Sequence, residues 1–157
     1  MNHVDTIAAP GSGTSANASS ATPEECAQLV ADVEAYCQEI RPIEEIAYLE
    51  HEPNPAIGEL AKKYNMLGMS MPKKYGGRAV DSLTYARALV RINREGTGVR
   101  TFFSGHTSIG QYPILKYGTE EQKKKYLPDV ASGAITAFAL TEDEVGSDPS
   151  RLKTKAK

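Results

Sequence analysis

The sequence predicts a mainly α-helical bundle that hands over, late in the chain, to a β-hairpin. Three observations carry this prediction. Apolar residues recur at helical spacing over most of the chain. Two capping boxes, Thr22 with Glu25 and Thr119 with Gln122, mark helix starts. Past Ser132-Gly133 the pattern changes, and Ile135, Phe138 and Leu140 alternate as in a strand.

Residues 1–22 are dominated by Ala, Ser, Thr, Gly and Asn and are expected to be a disordered tail, because they hold too little apolar surface to offset ordering entropy. Gly11-Ser-Gly13 follows no strand and is no nucleotide loop, and Asn17-Ala-Ser19 spells a sequon that matters only in a secreted chain. The first helix opens at Thr22-Pro23, carries Cys26, Leu29, Val30, Val33, Cys37 and Ile40 on one face, and is expected to be disturbed or ended by Pro42. A second helix opens at Asn54-Pro55, buries Ile57, Leu60, Ala61 and Tyr64, and stops near Leu67-Gly68. Residues 69–80 form a loop. A third helix follows Asp81, with Leu83, Ala86, Leu89, Val90 and Asn93 expected inward and Gly96 and Gly98 ending it. Val99 to Tyr117 is apolar on most sides and broken by Gly105 and Gly110, which suggests buried helical pieces. The last helix opens at Thr119, carries Lys123 to Lys125 on a solvated face, and is expected to end at Pro128. A strand over Ala134 to Leu140, a turn-rich stretch over Glu142 to Ser150 and a second strand over Arg151 to Lys157 complete the chain. Two strands alone are marginal in water, so a sheet that starts this late implies partners downstream.

Composition narrows the function. The 157 residues are 40% hydrophobic with a net charge of −2, which gives no reason to expect nucleic acid or a membrane surface as a partner. No run reaches the roughly 18 apolar residues of a membrane-spanning helix. The start lacks the features of a secretory signal and the arginines of a transit peptide, so a cytoplasmic location is expected. Cys26 and Cys37 lie on one helix, eleven residues and roughly 16 Å apart, beyond the reach of a disulfide. His3, His51 and His106 are scattered, no metal spacing, P-loop or nucleophile elbow occurs, and Asp143, Glu144 and Asp148 lack the pattern of a calcium loop.

The informative segment is Phe138-Ala-Leu-Thr-Glu-Asp-Glu-Val-Gly-Ser-Asp148. Backbone amides and a threonine hydroxyl can bond the polar edge of a flavin ring. A glycine admits close approach of a pyrophosphate, and successive N–H groups in a turn form an anion-binding concavity. The segment resembles the flavin-binding signature of acyl-CoA dehydrogenases, Leu/Val-Thr-Glu-Pro-x-x-Gly-Ser-Asp, with Asp143 where the family usually has proline and Glu144-Val145 at positions usually small. Leu67-Gly-Met-Ser-Met-Pro-Lys-Lys-Tyr-Gly-Gly77 resembles the family's Pro-x-x-Tyr-Gly-Gly loop. His106-Thr-Ser-Ile-Gly110 followed by Gly118-Thr-Glu-Glu-Gln-Lys-Lys-Lys-Tyr-Leu-Pro128 resembles its helix pair before the strand. The three motifs occur in the family's order across about residues 23–157.

The resemblance implies a helical bundle of the acyl-CoA dehydrogenase amino-terminal type over 23–132, then the truncated start of the middle β-barrel domain over 133–157. It implies FAD as cofactor, contacted by Phe138, Ala139, Leu140, Thr141, Gly146 and Ser147. It implies an acyl-CoA substrate near Ser147 and along Phe102, Phe103, Gly105 and Ile109, where the small Gly105 would leave a deeper pocket for a longer chain. In the family a glutamate removes the α-proton, the β-hydrogen leaves as hydride to the flavin, and electrons pass to an electron-transfer flavoprotein. That glutamate lies in a carboxy-terminal domain beyond this chain, so no catalytic residue is assigned here and the chain alone is expected to be inactive. Full-length members are commonly homo-tetramers. Two other readings stay open: a non-catalytic helical interaction module, and an acyl-CoA oxidase-like relative.

Overall fold

The computed structural model describes residues 20–155. The expected tail up to residue 19, with its glycines and sequon, lies outside the described residues, as do the last two residues of the expected second strand.

Helix α1 spans Pro23–Glu50. Its capping box is closed in both directions: Glu25 N donates to Thr22 Oγ1 (3.3 Å) and Thr22 N donates to Glu25 Oε2 (2.7 Å). Pro42 lies inside α1 and does not end it. The bond that proline cannot donate belongs to the carbonyl of Gln38, and both residues are exposed, so that carbonyl is open to solvent. Leu29, Val33, Tyr36, Cys37 and Ile40 are buried, whereas Val30, expected inward, is half exposed.

Helix α2, Ala56–Lys63, ends before the expected Leu67-Gly68, with Asn65 in the left-handed region at φ 51°. The loop expected over residues 69–80 begins earlier, after α2, holds one 3-10 turn at Lys73–Tyr75, and is largely buried. Met66, Leu67, Met69, Met71 and Val80 all lie in the interior. Their backbone groups are paired within the loop, through Arg78 N to Gly68 O (2.9 Å), Ala79 N to Met71 O (2.9 Å) and Val80 N to Met69 O (3.0 Å), which makes their burial tolerable. Gly77 is required here, because a Cβ on it would lie 2.1 Å from the Met71 carbonyl oxygen.

Helix α3, Ser82–Ile92, is capped by Asp81, whose Oδ1 accepts from Leu83 N (2.8 Å) and Thr84 N (2.9 Å). Its inward face is Thr84, Ala88 and Ile92, with Leu89 partly buried; Leu83, Ala86, Val90 and Asn93 face outward, contrary to expectation. The reason is steric and polar. Ala88 is small enough to sit against α1, and the Thr84 hydroxyl donates to its own cap, Asp81 Oδ2 (2.7 Å), so it enters the core satisfied.

The apolar stretch forms helix α4, Thr97–Ser104, a π-helix over Gly105–Gln111, and helix α5, Tyr112–Tyr117. Helix α6, Glu120–Ser132, carries the second capping box and contains Pro128 on its exposed side, so it too outlasts its proline. The main core gathers α1, α2, α3, α4 and the buried loop. A second cluster packs Met71 and Tyr75 against Leu127, Val130 and Ala131 of α6. Cys26 and Cys37 are both free thiols.

The helical class is as expected. The expected hairpin is not: among the described residues there is no strand, and residues 134–141 run without ladder partners. An isolated antiparallel bridge joins Glu142 and Val145. A strand is defined by its neighbour, and none lies within reach of this segment.

Candidate functional site

The segment after α6 returns to the bundle at one point. Thr136 N donates to His106 Nδ1 (3.1 Å), and Thr136 Oγ1 donates to the His106 carbonyl (3.0 Å). His106 is 1% exposed, sits in the π-helix and stacks on Phe102, with ring centroids 6.2 Å apart at 5°. Burial pushes its pKa down, opposed in part by the nearby Leu67 carbonyl. A neutral ring accepting at Nδ1 carries its proton on Nε2, which is buried without a hydrogen-bond partner.

The π-helix presents its other side to a groove shared with the loop and α3, lined by Ser70, Val80, Ser82, Tyr85, Ser108 and Ile109 among others. Tyr85 and Thr107 share a hydrogen bond through their hydroxyls, and Thr107 Oγ1 donates to the Phe103 carbonyl (2.7 Å). Of the four residues expected along an acyl chain, Ile109 lines this groove and is half exposed. A Cβ on Gly105 would meet nothing within 4 Å. Phe102 is partly buried against His106. Phe103 is fully buried in the core, edge-on to Tyr36 at 5.3 Å, and offers no open surface.

Beyond Thr136, Phe138, Ala139, Leu140 and Thr141 are exposed. The turn that follows closes without the family's proline: Glu142 N donates to Val145 O and Val145 N to Glu142 O, both at 3.0 Å, with Val145 buried beneath. The Glu142 carboxylate accepts from Lys153 N and Thr154 N, each at 2.9 Å, and these contacts with Thr154 and Lys153 hold it below the usual carboxylate range. It is therefore an ionised structural acceptor. Gly146 and Ser147 follow as an exposed corner, with nothing within 4 Å of a Cβ placed on Gly146, and Asp148 Oδ1 accepts from Ser150 N (3.0 Å). Among the described residues no three His, Cys, Asp or Glu side chains gather as a metal site. No described helix is long and apolar enough to cross a membrane.

The residue types suit a flavin: exposed hydroxyls at Thr141 and Ser147, a bare glycine corner at Gly146 and exposed apolar Phe138 and Leu140 earlier in the same segment. Residues 23–134 match the sequence family described as the acyl-CoA dehydrogenase, N-terminal domain. This chain belongs to the acyl-CoA dehydrogenase family. An acyl-CoA dehydrogenase of Bacillus subtilis is 42% identical over 121 residues, covering 76% of this chain and 32% of that protein. The very long-chain specific acyl-CoA dehydrogenase of rat mitochondria is 41% identical over 96 residues, covering 60% of this chain and 15% of its own length. A solved acyl-CoA dehydrogenase complexed with FAD, from Bacillus anthracis, superposes with a TM-score of 0.70 at 34% identity, covering 82% of this chain and 22% of that one. The chain thus spans about a third or less of the length of each of these acyl-CoA dehydrogenases.

Sequence reasoning reads His106 and Gly110 as parts of a family motif, and gives neither of them, nor Thr136, a role at the site. The signal was present: a histidine and a glycine four apart in an apolar, glycine-broken stretch, preceding a β-branched hydroxyl residue in the next segment. What the sequence could not show was that the π-helix turns both toward Thr136.

Proposed function

We propose that this chain is the amino-terminal part of a cytoplasmic, FAD-dependent acyl-CoA dehydrogenase acting on acyl-CoA thioesters in fatty-acid or amino-acid catabolism. Residues 23–132 form its helical domain and 133–157 open its middle β-domain. The observation that carries the reading is the open Gly146-Ser147 corner, beside exposed Thr141, in a chain of this family. Leu140 and Thr141 meet the pyrimidine side of the flavin, with Phe138 and Ala139 leading into that contact. Gly146 and Ser147 receive the pyrophosphate, Ser147 also standing near the thioester. Phe102, Gly105 and Ile109 border the acyl chain; Phe103 supports them from the core. Bound flavin supplies the hydride acceptor. The chain's own residues bind and orient: hydroxyls and amides donate, and the apolar side chains exclude water. An electron-transfer flavoprotein is the proposed electron acceptor, and a homo-tetramer the proposed full-length assembly. Glu142, engaged by backbone amides, is given no part in proton abstraction, and the chain is expected to hold FAD weakly and not to turn over alone.

Titration of FAD into the purified chain, followed by flavin fluorescence, tests this. Weak binding that is lost in a Thr141→Ala/Ser147→Ala variant is the expected outcome. Binding identical in the variant refutes the site, and dye-coupled oxidation of an acyl-CoA by the chain alone refutes the assignment of no catalytic residue.

A further inference from the structure

We infer that His106 is a positioning residue. Through Thr136 it fixes the segment that carries the Leu140–Ser147 motif against the π-helix, and so sets the gap between the residues proposed to touch flavin and those proposed to border the acyl chain. The purpose assigned to this latch rests on the proposed function; its geometry does not.

Four observations converge on it. From Ile135 to Thr141, among the described residues, the hydrogen bonds from Thr136 to His106 are the ones that tie the segment to the bundle, Ala134 before it being held by Asp129 O of α6 (2.8 Å). The opposing surface is shaped to receive Thr136: a Cβ on Gly110 would lie 2.2 Å from Thr136 Oγ1 and 2.7 Å from its Cβ, so the segment occupies the space a side chain would need. His106 and Gly110 both lie in the π-helix, whose wider turn presents them together, and short π-helical turns recur at functional sites. The imidazole has no freedom to swing away, being 1% exposed and stacked flat on Phe102. The acceptor is specific as well. Only a neutral ring with its proton on Nε2 offers the Nδ1 lone pair to the Thr136 amide. A purely space-filling role would need neither that lone pair nor the bare Cα of Gly110.

Amide hydrogen exchange on the whole chain, read by NMR at neutral pH, tests this. His106→Phe keeps an aromatic ring for Phe102 and removes the acceptor. His106→Asn places an amide oxygen close to the Nδ1 position. The Thr136 amide is expected to exchange about tenfold faster in His106→Phe and near the native rate in His106→Asn, with Val33 and Ile40 of α1 unchanged in both. A native rate for Thr136 in His106→Phe overturns the inference. So does equal acceleration in both variants with α1 unchanged, since rescue by asparagine is what separates an acceptor from a filler. If α1 amides also accelerate, Gly110→Ala decides, because its new methyl would lie 2.2 Å from Thr136 Oγ1 and displace the segment while leaving the His106 ring in place. Faster exchange confined to 135–141 supports the latch, and native exchange there overturns it. Flavin retention is scored separately, so a chain that shows the latch but binds no flavin refutes the functional reading and leaves the latch standing.

Discussion

Replacing Glu95 by glutamine removes one charge from the most buried carboxylate of the fold's ionic network. Glu95 sits just after α3 with its side chain fully shielded. It accepts two bonds from Arg41 (2.8 and 2.9 Å) and another from Arg91, which also bonds Glu34 of α1. The hydrogen bonds from Arg41, followed by those from Arg91, overcome burial and hold its pKa at about 2, against 4.5 ordinarily. That difference corresponds to roughly 3 kcal/mol at neutral pH. Arg41 is 61% exposed and its attraction is screened, so we expect about 2 kcal/mol to be lost in Glu95→Gln. The pH dependence fixes the mechanism. A carboxyl whose pKa is depressed in the folded state stabilises fully above its unfolded value and loses that contribution as pH falls through the folded value. The gap between wild type and Glu95→Gln in urea denaturation should therefore be full at pH 7, begin to close below 4.5, and vanish near pH 2. A gap of the same size at every pH would refute the electrostatic account and leave packing as the cause.

Gly77→Ala should destabilise the chain by about 3 kcal/mol, because the new methyl meets the Met71 backbone rather than a movable side chain; a thermal midpoint shift measures this. Gly105→Ala, with open space at its Cβ, should instead stabilise by up to about 1 kcal/mol in the same assay. Burial pushes the Cys37 thiol up to about 11, so an aromatic disulfide reagent at pH 8 should modify Cys37 only as fast as the chain unfolds. His106 is lowered by burial, so its contribution is complete above 6.5 and declines as pH falls below it. The Thr136 amide resonance should shift with a midpoint under 6.5.

Much of this fold is legible in the sequence, for identifiable physical reasons. The starts of α1 and α6 follow from Thr22 and Thr119, because a capping box is a local bond between residues three apart. The helix ends expected at Pro42 and Pro128 are not observed, since each proline lies on an exposed face where the helix is held by its buried side and the abandoned carbonyl is open to solvent. The face of α3 was misread because Thr84 and Ala88 look unlike core residues; one is satisfied by Asp81 and the other is chosen for closeness. The strand over Ala134 to Leu140 depends on neighbours the described residues do not contain. At the site, the turn residues were readable from their chemistry. His106 and Thr136 were not, because their meeting depends on a departure from regular helix that periodicity does not encode.

That departure has a consequence for how chain length can vary. A helix wound with bonds to the fifth residue holds one residue more than an ordinary turn of similar height. Removing a single residue from Gly105–Gln111 could be absorbed by reverting to α-helix, leaving both flanking helices seated while swinging the intervening face by about 100°. A homologue shortened by one there would keep the architecture and offer the returning chain a different side chain to hold.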